Sequence, residues 1–236
     1  KAGSTAGTTV YTAPTGVTVV DIKAANGAGV SHNQYEQFNV GSKGVVLNNG
    51  NTTQLTRNSQ LAGQVFSNFN LGNEATLILN EVVSPNRSLL SGYIEVLGGR
   101  ADVVLANPYG ITCSGCGFIN TARATLTTGV PNLGLEGTLQ GFSVNRGDIL
   151  INGAGVEARN TAVFDVLARS VKLDGQINAQ DLRITTGSNT VDYASRNATP
   201  VAPASGEGVH VFSLDSTALG GMYANRIKLI ATEAGV

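Results

Sequence analysis

The sequence predicts an all-β solenoid, a stack of short coils that share one core. Its composition, the density of turn residues and an internal repeat all point to this fold class. The chain of 236 residues holds 30 Gly, one Met and no Trp, and only 13% of its residues are charged. A helical bundle would need surfaces rich in Ala, Glu, Lys and Leu, so this composition argues against one. Asn, Thr and Ser take the place of charged residues in this sequence, and they suit turns and exposed strand faces.

The repeat lies in the C-terminal half. The pattern Ala-x-x-aliphatic-basic-aliphatic occurs at residues 168–173, 179–184 and 224–229, and its first two copies start 11 residues apart. Short strands in this rhythm, each closed by Gly or Asn, indicate coils of about 22 residues with two or more strands each. One coil cannot bury its apolar face alone, whereas stacked coils share a continuous core. A β-sandwich also combines short strands with regular turns and stays open as the alternative.

Strand candidates and turn residues alternate along the chain. Residues 1–16 show little pattern, and short apolar stretches then follow at 17–22, 38–40, 45–47, 75–83, 93–97 and 101–106. The best helical candidates are residues 121–127 and 161–170, and neither has a helical apolar period bounded by caps. Residues 188–208, rich in Pro, Ala and Ser, are predicted as a loop outside the coils. We expect residues 1–236 to form one domain.

Charge and hydropathy exclude several classes of function. The formal net charge is −1 and the isoelectric point about 6.1, so the basic surface that nucleic-acid binding needs is not predicted. No apolar run reaches the length of a transmembrane segment. Residues 1–20 lack the pattern of a signal peptide, so an exported protein would already have lost it. The segment after residues 226–230 contains no terminating signal, and we expect the chain to be the N-terminal fragment of a larger protein.

The sequence predicts no catalytic residue, no metal site and no cofactor. None of the 16 acidic residues adjoins another, although stacked coils can bring distant acids together, so polysaccharide cleavage stays open as an alternative. The two histidines, His32 and His210, match no zinc-finger spacing with the two cysteines. His32 lies in a polar segment, and we expect it to be a solvated turn residue.

The most informative stretch is residues 107–120, which reads NPYGITCSGCGFIN. Asn107 suits position i of a type I turn, Pro108 presets φ at the next position, and Gly110 suits position i+3. The chain is therefore predicted to reverse direction here.

Cys113 and Cys116, the two cysteines of the chain, follow this turn. A redox pair is disfavoured because a helix would have to begin at the first Cys, and SGCGFIN is a poor helix start. A structural disulfide suits an exported protein, and so small a loop would contribute about 2 kcal/mol. A pair of reduced, buried cysteines stays open as the other interpretation.

Three segments carry a resemblance to a known family. They are FNVGSKGVVLNN, the block at residues 80–129, and GFSVNRGDILINGAGVEA. They resemble the amino-terminal secretion domain of two-partner-secretion exoproteins, above all the filamentous haemagglutinins and the contact-dependent growth-inhibition proteins of Gram-negative bacteria. The similarity covers residues 17–191, and the block at 80–129 is highly specific.

The resemblance implies a right-handed parallel β-helix with an N-terminal cap, at residues 1–45, and small sheets packed outside it. It also implies a partner, the outer-membrane transporter TpsB, whose periplasmic POTRA domains would engage the unfolded chain. The chain would then cross the transporter's β-barrel, fold outside the cell and seed the β-helix of a downstream region of the same polypeptide. The whole protein would be secreted or surface-bound, as a contact-dependent toxin or an adhesin.

Two family motifs map onto this chain. The first, Asn-Pro-Asn-Gly-Ile, falls on Asn107, Pro108, Tyr109, Gly110 and Ile111, with Tyr109 in place of the second Asn. The second, Asn-Pro-Asn-Leu, has a partial counterpart in Asn68, Phe69, Asn70 and Leu71, with Phe69 in place of Pro. Each turn either contacts the transporter or only supports the fold, and the sequence leaves both roles open.

An adhesin that binds a host glycan or protein is the alternative function. Tyr93, Tyr109 and Phe118 are the aromatic residues that we expect to form a binding cluster in that case.

Overall fold

The computed structural model describes residues 7–207, 213–217 and 220–233. Across these residues the chain forms strands and one short 3-10 helix, Leu135–Gly137. The strands of the first half are β1 (Thr9–Thr12), β2 (Thr18–Asp21), β3 (Val30–Tyr35), β4 (Val45–Asn49), β5 (Thr56–Ser59), β6 (Gly63–Phe66), β7 (Leu77–Val82), β8 (Ser88–Leu90), β9 (Tyr93–Gly98), β10 (Ala101–Ala106), β11 (Ile111–Cys113) and β12 (Cys116–Ile119). Those of the second half are β13 (Thr121–Thr127), β14 (Val130–Leu133), β15 (Leu139–Val144), β16 (Asp148–Asn152), β17 (Val156–Ala168), β18 (Ser170–Asp174), β19 (Gln176–Thr186), β20 (Asn189–Asp192), β21 (Ala198–Pro200), β22 (Leu214–Ser216), β23 (Gly221–Tyr223) and β24 (Arg226–Ala231).

Three parallel sheets wrap around one core, and each coil contributes strands to them in turn. The first face consists of β2, β4, β9, β12, the first parts of β17 and β19, and β23. The second face consists of β3, β7, β10, β13, the second parts of β17 and β19, and β24. The third face consists of β8, β11, β16, β18 and β22. Because equivalent strands of successive coils are parallel, the architecture is a β-helix and the β-sandwich alternative is wrong.

Apolar side chains form ladders that run through the core from coil to coil. On the second face, one ladder links residues at the same position of successive strands: Ile78, Val103, Ala124, Phe164, Leu182 and Ile227. The first five are at most 1% exposed, whereas Ile227, on the last strand, is 41% exposed. Each side chain is therefore buried by the coils before and after its own, as the solenoid prediction requires.

Two small antiparallel sheets pack outside the coils. The hairpin β5–β6 places Val65 against Val19 and Val46 on the outer side of the first face. The four-stranded sheet β14–β15–β20–β21 packs Phe142 and Val191 against the outer side of the second face. At the N-terminal end, β1 pairs antiparallel with β2 and covers the edge of the first face.

Several expectations from the sequence need correction. Residues 121–127 and much of 161–170 are strands of the second face, not helices, because their alternate side chains reach into the core. Residues 188–208 carry β20 and β21 instead of forming one loop, and residue 208 lies outside the described residues. His32 is not in a turn: it lies in β3, and its Nε2 is 2.7 Å from Oε2 of Glu81. His210 lies outside the described residues.

We predict that core ladders dominate the stability of the domain. Leu105 is 1% exposed on β10, so Leu105→Ala should lower the free energy of unfolding by about 2–5 kcal/mol. The matched control is Leu135→Ala in the 3-10 helix, where Leu135 is 93% exposed, and its effect should stay within about 0.5 kcal/mol. Urea unfolding followed by circular dichroism measures both, and equal losses would contradict the assigned core.

Candidate functional site

Asn107 directly follows strand β10 and anchors the first motif turn. Its side chain is 0% exposed. Its Nδ2 donates hydrogen bonds to the carbonyl oxygen of Asn86, at 2.8 Å, and to Oγ of Ser88, at 2.9 Å. Both acceptors belong to the preceding coil, so this amide joins two coils where the backbone leaves the second face.

The same asparagine closes the turn itself. Its Oδ1 accepts a hydrogen bond from the backbone N–H of Tyr109, at 3.0 Å, and its carbonyl oxygen accepts one from the N–H of Gly110, also at 3.0 Å. Gly110 has φ +102°, and a Cβ there would lie 2.3 Å from Nη1 of Arg87. This position therefore needs glycine.

The guanidinium of Arg87 lies against the turn and holds it to the third face. It pairs with Asp148 at 2.7 Å and donates to the carbonyl oxygen of Ile111 at 3.0 Å. Ile111 is fully buried as the first residue of β11. The chain thus passes from the second face to the third through a turn whose backbone groups are hydrogen-bonded to Asn107 at its start and to Arg87 at its end.

Asn68 uses the same geometry in the second motif. Its Nδ2 donates to the carbonyl oxygens of Ile22, at 2.8 Å, and Asn48, at 3.0 Å. Its Oδ1 accepts from the N–H of Asn70, at 2.9 Å, and its carbonyl oxygen from the N–H of Leu71, at 3.2 Å. The two motifs are therefore the same structural element, although Phe69 stands where the first motif has Pro.

Two other asparagines, the buried Asn49 and the exposed Asn120, also join coils, and the sequence analysis missed them. Nδ2 of Asn49 donates to the carbonyl oxygens of Ala75 and Gly99, at 2.9 and 2.8 Å, and its Oδ1 accepts from the N–H of Ala75 at 2.7 Å. Nδ2 of Asn120 donates to the carbonyl oxygen of Val96 at 2.8 Å. The available signal was an Asn directly after an aliphatic strand, as in residues 47–49 and 118–120.

The tips of the two turns point outward, in contrast to their asparagines. Phe69 is 71% exposed and Tyr109 is 41% exposed. The guanidinium of Arg146 lies 5.5 Å from the centre of the Tyr109 ring. The aromatic cluster expected for an adhesin does not form, because Phe118 is buried and packs on Phe164 with ring centres 5.8 Å apart.

Cys113 and Cys116 are joined by a disulfide at the corner between the third face and the next coil. Both are buried, and Sγ of Cys113 lies 3.2 Å from the carbonyl oxygen of Gly155. The bond closes the corner at the point where β11 ends and β12 begins.

Acidic residues of the coils are used in ion pairs. The carboxylate of Asp165 is buried between the guanidinium groups of Arg123 and Arg196, at 2.7 and 2.6 Å. Within residues 7–207, 213–217 and 220–233, no group of three His, Cys, Asp or Glu side chains is arranged to hold a metal ion. The described part of the chain also contains no helix long and apolar enough to cross a membrane.

We predict that the asparagines stabilise the fold far more than the turn tips do. Asn107→Ala and Asn68→Ala each remove a buried amide and leave backbone groups unpaired, so each should cost about 2–3 kcal/mol of unfolding free energy. Tyr109→Ala and Phe69→Ala, the matched controls at the exposed tips, should cost less than about 1 kcal/mol. Denaturant unfolding of the four variants measures this order, and a reversed order would contradict the assigned roles.

Comparison with known proteins places these features in a family. The chain is 52% identical over 223 residues to the tRNA nuclease CdiA of Yersinia mollaretii, covering 94% of this chain and 7% of that protein. It is 42% identical over 237 residues to the tRNA nuclease CdiA-2 of Burkholderia pseudomallei, covering 100% of this chain and 7% of that protein. The chain thus spans a small part of the length of these relatives.

A solved structure and a family model agree with these matches. The crystal structure of the filamentous hemagglutinin secretion domain superposes with a TM-score of 0.90 at 38% identity, over 98% of this chain and 78% of that one. This match confirms the predicted all-β, right-handed parallel β-helix. The family model described as "TPS secretion domain" matches residues 1–236. The chain therefore belongs to the family of two-partner-secretion (TPS) domains.

Proposed function

We propose that this domain directs export of a longer polypeptide through an outer-membrane transporter of the TpsB type. In this proposal the chain reaches the periplasm with its signal peptide removed, and the transporter's POTRA domains bind it while it is unfolded. The chain then passes through the barrel and folds at the cell surface. The domain itself performs no catalysis.

The observation that carries the proposal is the difference between the two ends of the β-helix. At the N-terminal end, β1 covers the edge of β2. At the other end, β24 pairs only with β19 among the described strands, and Ile227 and Leu229 are 41% and 39% exposed. A further coil would bury these side chains and pair with the edge of β24. The folded domain thus offers a template on which a downstream region can continue the β-helix.

Recognition before folding would rest on the extended backbone of the chain and not on the motif asparagines. Asn68 and Asn107 are 0% exposed in the folded domain, so a partner of the folded domain cannot reach their side chains. An extended chain can add a strand to the edge of a partner's sheet, where main-chain hydrogen bonds provide affinity. The many short strands of this domain suit that mode of binding.

Folding outside the cell would also favour export in one direction. Each coil that joins the stack buries apolar surface, which stabilises it by about 25 cal/mol per Å². The disulfide is compatible with passage, because residues 113–116 close a loop of sequence separation 3. A folded coil at the surface would keep the chain from sliding back.

The whole protein is proposed to be a contact-dependent growth-inhibition toxin, with an adhesin as the alternative. Relatives of this domain are named tRNA nucleases and toxins. The alignment covers 7% of their length, so the nuclease activity in their names would belong to regions outside the matched segment.

We predict that release of this domain into the medium requires its transporter. The chain would be expressed behind a signal peptide in cells with and without the cognate transporter, and the secreted fraction quantified. Release should fall at least about tenfold without the transporter, because a soluble β-helix has no other route across the outer membrane.

A variant of the cognate transporter, with its barrel intact and its POTRA domains deleted, tests the recognition step. It should fail to release the chain, and an unrelated periplasmic protein should stay inside in every strain. Equal release with and without the transporter would overturn the secretion role. Full release by the POTRA-deleted transporter would overturn recognition by those domains.

A further inference from the structure

The outer surface of the sheet β14–β15–β20–β21 carries a shallow groove of about 430 Å³. The pairing register sets its floor, because Asn132, Gly141 and Asp192 lie opposite one another on β14, β15 and β20. Thr190, two residues before Asp192 on β20, also lines the groove. The lining is completed by Gln140, Val191, Thr199 of β21 and the turn residues Ser195 and Asn197.

The chemistry of this lining selects one class of ligand. Six of the nine described lining residues carry an amide or a hydroxyl group on their side chains, and these groups both donate and accept hydrogen bonds. Within the described lining no Lys or Arg is available for an anion, and the apolar side chains Phe142 and Val191 are buried beneath the sheet. An uncharged ligand with many hydroxyl groups matches these donors and acceptors.

Asp192 adds one strong acceptor to the lining of the groove. Its Oδ1 accepts hydrogen bonds from Oγ and the N–H of Ser195, at 2.6 and 2.7 Å. The hydrogen bond from the Ser195 hydroxyl holds the pKa of the Asp192 carboxyl below its usual value. The carboxylate is therefore ionised at neutral pH, and Oδ2 can accept hydroxyl groups of a ligand.

The groove is held rigid by contacts on the opposite side of the sheet. Arg196, in the turn between β20 and β21, has φ +62° and pairs with the buried Asp165 at 2.6 Å and with Asp181 at 3.3 Å. The Tyr193 hydroxyl donates to Oδ2 of Asp102 at 2.7 Å, and Arg123 donates to the Tyr193 carbonyl oxygen at 2.7 Å. Because the turn is fixed before a ligand arrives, little conformational entropy is lost on binding.

We propose that this groove binds a neutral saccharide of about disaccharide size, through Asn132, Thr190, Asp192 and Asn197. This is a binding function of the folded domain. It does not depend on the role of the domain in secretion.

The test is titration of the ¹⁵N-labelled chain with lactose, maltose, cellobiose and N,N′-diacetylchitobiose, followed by NMR. At least one of them should shift the amide signals of Asn132, Gly141, Thr190 and Asp192, with a dissociation constant in the millimolar range. A sulfated heparin disaccharide should leave these signals unchanged, because the described lining of the groove contains no Lys or Arg.

Two variants separate binding from folding. Thr190→Tyr fills the groove from an exposed strand position, and Asp192→Asn keeps an acceptor for Ser195 while it removes the charge. Both should weaken binding at least about tenfold, whereas Thr9→Tyr, at an exposed position of β1, should bind like the unmodified chain. The proposal is overturned if no saccharide shifts the groove signals, if the heparin disaccharide shifts them instead, or if Thr190→Tyr binds unchanged.

Discussion

The fold depends on how buried backbone groups are satisfied where the chain turns from one face to the next. Within a face, each strand pairs with the coils before and after it. At a corner the backbone leaves this ladder, and an unpaired buried N–H or C=O group would cost as much as a lost hydrogen bond. Asn107 and Asn68 satisfy such groups by placing a fully buried side-chain amide at the corner. Its Nδ2 donates hydrogen bonds to the preceding coil, and its Oδ1 accepts one from a backbone N–H of the turn.

This arrangement links the order in which the coils fold to their order along the chain. Nδ2 of Asn107 can bond only when residues 86–88 of the preceding coil are already in place. Likewise, the apolar ladder buries Val103 only between Ile78 and Ala124. Each coil is therefore stabilised by its predecessor and prepares the surface for its successor. A chain that emerges from a transporter with its N-terminal end first could fold in that order.

The repeat and the dense turns were enough to predict the solenoid, because both reflect the local length of one coil. The predicted helices were wrong where Thr and Ala obscure the alternation of apolar and polar residues that is typical of a strand. In β13, for example, the outward positions carry Arg123 and Thr125. Small outer sheets were expected only from the family resemblance. The residue pattern alone could not place the antiparallel outer sheet, because long-range contacts such as Arg196 with Asp165 fix it. The second motif was only partly visible, since the turn needs the first Asn and tolerates Phe69 in place of Pro.

We infer that the motif asparagines act through the folded β-helix and that folding drives release. The most direct measurement compares transporter-dependent secretion of Asn107→Ala with that of a core variant, Leu105→Ala or a milder substitution there, chosen to have the same unfolding free energy. We expect equal secreted fractions for the two variants. Secretion of Asn107→Ala at least about tenfold below its stability-matched partner would contradict it, because the asparagine side chain would then be read by the transporter itself.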